Sequence, residues 1–187
     1  MKYRDFVGGA AFLIVLSTLC AGVFWFVLHS KETDSLNRQV AFASMKGRSA
    51  PAFSLSTIEG KPVSTSDSSR PKVIEVFATW CEICTSEIPT LNRLAQMHPE
   101  IDVVAITGSK NGGNSAPETL AHVKRYKHSK HVLYALAYDP SIALTKDYKV
   151  VGFPSIYVIN KKGIVTFDGA GAVSFSDLDA AVKEASI

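Results

Sequence analysis

Two of the chain's three cysteines, Cys81 and Cys84, stand in the stretch FATWCEICTSEIP, Phe77–Pro89. Four chemistries use a Cys-x-x-Cys pair. Haem attachment needs a His directly after the second Cys, and Thr85 holds that place. A structural zinc site needs about four ligands, but only two cysteines are at hand and the histidines lie elsewhere. A structural disulfide across two residues closes almost no loop and stabilises little. A redox pair remains. At the start of a helix, after a buried strand, backbone amides can stabilise a thiolate. The cysteine at the helix end is the more exposed, so Cys81 is expected to be the nucleophile. Cys84, about one turn inside, is expected to resolve the mixed disulfide.

The flanking patterns supply that setting. Lys72–Thr79 (KVIEVFAT) is a nearly continuous apolar run, as for a central strand buried on both faces. Cys84–Met97 places Ile88, Leu91, Leu94 and Ala95 on one helical face. Ile101–Thr107 reads as a strand and Gly108–Ser115 as a loop. Ala116–His128 reads as an amphipathic helix with Leu120, Val123 and Tyr126 inward. Val132–Ala137 is a short strand and Ser141–Tyr148 a short helix. Ser155–Asn160 and Ile164–Phe167 flank Lys161-Lys162-Gly163, an antiparallel hairpin. Phe175–Ala185 closes with a helix. Upstream, SAPAFSLSTIEGKPVS (Ser49–Ser64) reads as a small hairpin turning at Glu59-Gly60. Strands alternating with helices and then a hairpin define an α/β fold with a mixed central sheet.

The length, 187 residues, suits one domain and an appendage. A net charge of +3 without a basic run gives no footprint for nucleic acid. Val7–Leu28 carries no charged residue. At about 1.5 Å per residue it would cross a bilayer core of roughly 30 Å as a helix. A cleaved signal peptide is the rival, but its apolar region is usually only about 7–15 residues. The expected organisation is an N-terminal tail and single transmembrane helix over residues 1–29, a polar tether over 30–48, and a catalytic domain over 49–187. Cys20 would be a membrane-buried thiol. The short N-terminal tail favours an N-terminus inside the cytoplasmic membrane and a domain in the periplasm or an equivalent extracytoplasmic space.

From Ser49 to Ile187 the chain resembles thioredoxin-fold proteins, and more closely their membrane-anchored TlpA/ResA/CcmG-like branch. The likeness rests on WCEIC, Trp80–Cys84, followed by Glu87 and Pro89. It also rests on YKVVGFPSIYVINKKGIV, Tyr148–Val165, whose Gly-x-Pro precedes a strand and hairpin, and on the upstream hairpin. The resemblance implies a thiol:disulfide oxidoreductase of thioredoxin fold with an N-terminal β-hairpin extension. It implies a cis Pro154 beside Cys81, with Phe153 against the substrate, where the family often carries a smaller residue. Trp80 would wall the site, or serve the core. Glu75, six residues before Cys81, matches a buried acid that moves the proton of the deeper cysteine; a Glu reaching solvent or Lys72 is the alternative. Glu87 matches an acid of the ResA-like branch, or is a first-turn acid favoured by the helix dipole. Pro89 matches the fold's helix-kinking proline.

Glu82 and Ile83, between the cysteines, disfavour a thiolate, which lowers the potential and points to a reductant. The resemblance then implies a membrane electron donor of the DsbD/CcdA type and a protein disulfide as substrate, for instance in cytochrome c or copper-site assembly. No bound cofactor or metal is expected; the Cys81–Cys84 disulfide carries the electrons. A dithiol oxidant and a Cu(I) metallochaperone stay as alternatives. His122, His128 and His131 read as solvated surface. A peroxidase is excluded, because Ile74 and Ala78 stand where its motif needs Pro and Thr.

Overall fold

The computed structural model describes residues 44–108 and 118–187. The apolar stretch Val7–Leu28 and most of the tether lie outside them, as does most of the Gly108–Ser115 loop. No helix among the described residues is long and apolar enough to cross a membrane.

A small antiparallel hairpin, β1 (Ser54–Ser56) and β2 (Pro62–Ser64), comes first. Then follow β3 (Lys72–Val76), α1 (Glu82–Met97), β4 (Asp102–Thr107), α2 (Leu120–Ser129), β5 (Ala135–Tyr138), α3 (Ala143–Asp147), β6 (Ser155–Ile159), β7 (Val165–Ala170) and α4 (Phe175–Ala185). The main sheet has the order β5-β4-β3-β6-β7. β3 pairs in parallel with β4, and β4 with β5; β6 and β7 are antiparallel.

β3 is central and all five of its residues are buried. Its side chains alternate between two cores, as the pleat demands. Val73 joins Leu91 and Leu94 of α1, Val123 of α2 and Leu178 and Val182 of α4. Ile74 and Val76 face Leu144 of α3, Tyr148, Val63 and Met45. The parallel steps β3-β4 and β4-β5 run in the same direction across the sheet, and α1 and α2 pack into one core on one face, as the usual right-handed crossover demands. The return through α3 covers the other.

Leu120 was expected inward but is 43% exposed. The helix starts later than the pattern suggested, capped by Thr119, whose side chain accepts from the His122 amide. Leu120 is thus its first residue and lies past the core, while Val123 and Tyr126 are buried.

Both outer strands are covered. At β5, Thr57 bridges Ala137 and the Ile58 amide donates to the Leu136 carbonyl at 2.8 Å. At β7, residues 44–50 form a strap. Gly47 donates to the Val165 carbonyl, Val165 donates back to Arg48, and Ala50 donates to Gly163. The Asp168 carboxylate takes the Ser44 hydroxyl at 3.0 Å and the Met45 amide at 2.5 Å. The end of the polar stretch, from Ser44, is therefore already part of the sheet. Such covering removes the free strand edges on which other chains pair.

Candidate active site

The sheet ladder runs out of β3 with the Phe77 amide on the Ile106 carbonyl at 3.0 Å. The chain then turns, with the Cys81 amide on the Ala78 carbonyl at 3.1 Å. That turn delivers Cys81 as the N-cap of α1, in extended conformation. Its sulfur accepts from the Cys84 amide at 3.2 Å, in the place where a Ser or Asp would cap. Cys81 and Cys84 are joined by a disulfide, with Cα atoms 5.3 Å apart. Cys81 is the nearer to solvent of the two, 8% exposed against 1%. Thr85 folds its amide and hydroxyl back on the Cys81 carbonyl at 3.1 and 3.2 Å, and its hydroxyl also meets Tyr126 at 3.2 Å.

Two buried acids lie among these elements. Glu75, on β3, is 2% exposed and reaches neither solvent nor Lys72, whose ammonium bonds Asp67 and Arg70 carbonyls. One Glu75 oxygen takes the Tyr134 hydroxyl at 3.5 Å; the other has no hydrogen-bond partner. Burial, and then the neighbouring charge of Glu87, push its carboxyl up to about 8, against the smaller pull of Tyr134. Glu87, on α1, is 4% exposed. Its Oε1 holds the Val173 amide at 3.2 Å, ahead of α4, while Oε2 is unpartnered. Burial raises its carboxyl too. Pro89 lies inside α1.

The mouth is aromatic. Trp80 is 44% exposed, and its ring meets Phe153 edge-on at 6.0 Å between centroids. The Phe153–Pro154 bond is cis. The Pro154 carbonyl accepts from Gly171 at 2.8 Å, and Ser155 bonds back to Gly152. The structure thus gathers Cys81, Cys84, Trp80 and Phe153 at one end of the sheet, with Glu75 and Glu87 in the interior. His122, His128 and His131 are exposed on or after α2. Among the described residues no three or more of His, Cys, Asp and Glu come together as metal ligands.

Sequence reasoning missed Glu118. It is 5% exposed and sits just ahead of the Thr119 cap. Its carboxylate takes the Thr79 amide at 2.6 Å, the Thr79 hydroxyl at 2.5 Å and the Thr107 hydroxyl. Within a stretch read as helix, a first-turn acid draws no notice. The later helix start is what turns it inward.

A vicinal disulfide-forming pair at a helix N-terminus, on a mixed sheet of this order, defines a thioredoxin-like thiol:disulfide oxidoreductase. The Redoxin family model matches residues 45–182, and the chain belongs to that family. It is 25% identical over 175 residues to the thiol-disulfide oxidoreductase ResA of Bacillus thuringiensis subsp. konkukian, covering 92% of this chain and 93% of that one. It is 30% identical over 131 residues to the thiol:disulfide interchange protein DsbE of Pseudomonas fluorescens biotype C, covering 69% and 68%. In fold it is similar to a putative thiol:disulfide interchange protein DsbE from Chlorobium tepidum, with TM-score 0.65, 22% identity, and 75% and 96% of the two chains covered.

Proposed function

We propose that the protein is an extracytoplasmic reductant of protein disulfides, held at the membrane by Val7–Leu28, with its domain beyond a tether. The observation that carries the thiol assignment is the capping position of Cys81 ahead of the more deeply buried Cys84. In the reduced protein, the Cys81 thiolate attacks one sulfur of a substrate disulfide. A mixed disulfide forms, and the other substrate sulfur leaves as a thiolate and takes a proton. Cys84 then loses its proton and attacks the Cys81 sulfur, which closes the Cys81–Cys84 disulfide and frees the second substrate thiol. Two electrons pass from the dithiol to the substrate. Glu75 and Glu87 are the buried bases for the Cys84 proton; burial raises both carboxyls, that of Glu75 to about 8, where a general base works near neutral pH. Trp80, Phe153 and Pro154 would face the substrate.

The reducing direction follows from charge. Glu82 at the start of α1, and the buried acids when ionised, oppose a thiolate at Cys81, and a destabilised thiolate favours the disulfide. A membrane donor of the DsbD/CcdA type would restore the dithiol. Cys84→Ser should trap a covalent adduct with a partner and Cys81→Ser should not; adducts from neither would sink the reading. The potential decides direction. A value near thioredoxin's, about −270 mV, supports a reductant, and one near DsbA's, about −120 mV, makes the protein an oxidant.

A further inference from the structure

We propose that Glu118 is a positioning residue of the redox site, a clamp that sets the turn presenting Trp80 and Cys81. The proposal rests on Cys81 being the attacking thiol. The turn Ala78–Cys81 has one internal hydrogen bond, from Cys81 to Ala78. Its second residue, Thr79, is held from outside, and both of its bonds, through amide and hydroxyl, go to one oxygen of Glu118. The second oxygen takes the Thr107 hydroxyl at the end of β4. The Glu118 carbonyl in turn accepts from Tyr138 on β5 at 2.7 Å. The carboxylate and the carbonyl of one residue therefore tie the active-site turn to the C-terminal ends of two parallel strands.

The three buried glutamates among the described residues are built differently. Glu75 and Glu87 each keep an unpartnered oxygen. On Glu118 three donors converge, one of them a backbone amide, and bonds to a carboxylate are shorter and stronger than neutral ones. Glu75 and Glu87 thus each leave one carboxyl oxygen free, whereas both Glu118 oxygens are engaged and fixed in place. Thr79 is two residues from Cys81 and adjacent to Trp80, so slack at Thr79 moves the sulfur and the aromatic wall together. Small displacements of a reacting group are costly, up to about a hundredfold for roughly 1 Å.

The test uses the full chain with insulin disulfides as the substrate and glutathione as the redox buffer. A Trp25→Phe background leaves Trp80 as the single tryptophan. Glu118→Ala should lower kcat/KM roughly tenfold or more, mostly through KM, and shift Trp80 emission toward that of solvated indole. Glu118→Gln keeps an acceptor for Thr79 and should recover most of the loss. Wild-type kinetics and emission in a folded Glu118→Ala protein would overturn the clamp, as would a Gln variant no better than Ala. Should Glu118→Ala not fold, Thr79→Val removes one clamp bond and leaves the acid. It should then show a smaller loss in the same direction, and no loss overturns the proposal. Cys81→Ser is run alongside. Activity surviving there refutes the thiol assignment, whereas activity lost there but intact in the Glu118 and Thr79 variants refutes the clamp alone.

Discussion

Replacing Glu75 by Gln should make the protein more stable above acidic pH, by an amount the burial of this carboxyl sets. Its value in the folded protein is about 8, against an ordinary 4.5. The folded state therefore keeps a proton that the unfolded chain releases. Below pH 4.5 both states hold it and nothing is lost. As pH rises toward 8, stability falls by about 1.4 kcal/mol per unit from this group. By pH 7 the loss is about 3 kcal/mol and by pH 8 about 4 kcal/mol, and it levels off near about 5 kcal/mol above that. Gln fills nearly the same space and does not titrate. Chemical denaturation at pH 5, 6, 7 and 8, on the oxidised protein, reads the difference directly. The wild-type and Glu75→Gln stabilities should agree near pH 5 and diverge with rising pH. Parallel curves would refute the argument, because they would mean that Glu75 ionises as readily in the folded protein as in the unfolded chain. The same variant should reduce disulfides more slowly, with loss of an alkaline limb in its pH–rate profile.

His98, at the end of α1, is gripped by Asp179 at 2.7 Å and Glu100 at 3.0 Å. Burial alone would lower its pKa, but these acids together outweigh it and raise it above 6.5. The clasp therefore contributes fully below about pH 6.5 and fades as pH climbs through the raised value. His98→Gln should cost more stability at pH 6 than at pH 9, and an equal cost at both would refute it. Gly108→Ala should destabilise the fold by about 3 kcal/mol, at the upper end for overpacking, because a methyl there would land on the Asp139 backbone carbonyl. Thermal unfolding checks this, and an unchanged midpoint would refute it.

The parts legible in the sequence were those with a short period or a fixed local pattern. The β3 run, the α1 face and the Cys-x-x-Cys pair all depend on residues within a few positions of each other. The face of Glu75 did not emerge, because on a strand buried on both sides the alternation that marks inside from outside is lost. Glu118 was invisible for another reason. Its main partner, Thr79, is 39 residues away in sequence, and no local pattern encodes that meeting. The strap escaped likewise: its bonds go to residues 163–168, and its polar composition imitates a linker.

The strap has a geometric consequence. Val76, Ser155 and Ala170 align at one end of the sheet, the end from which the chain turns to Cys81. Followed backwards from Ala50 to Ser44, the strap advances along β7 from Gly163 to Asp168, toward that same end. The polypeptide thus joins the domain near the disulfide rim. A six-residue strand such as β7 is about 20 Å long, so a leash attached at the far end would need about that much extra length to let the disulfide reach the same place. Ser44 itself, on Asp168, therefore stands closer to the disulfide end of β7 than to its opposite end.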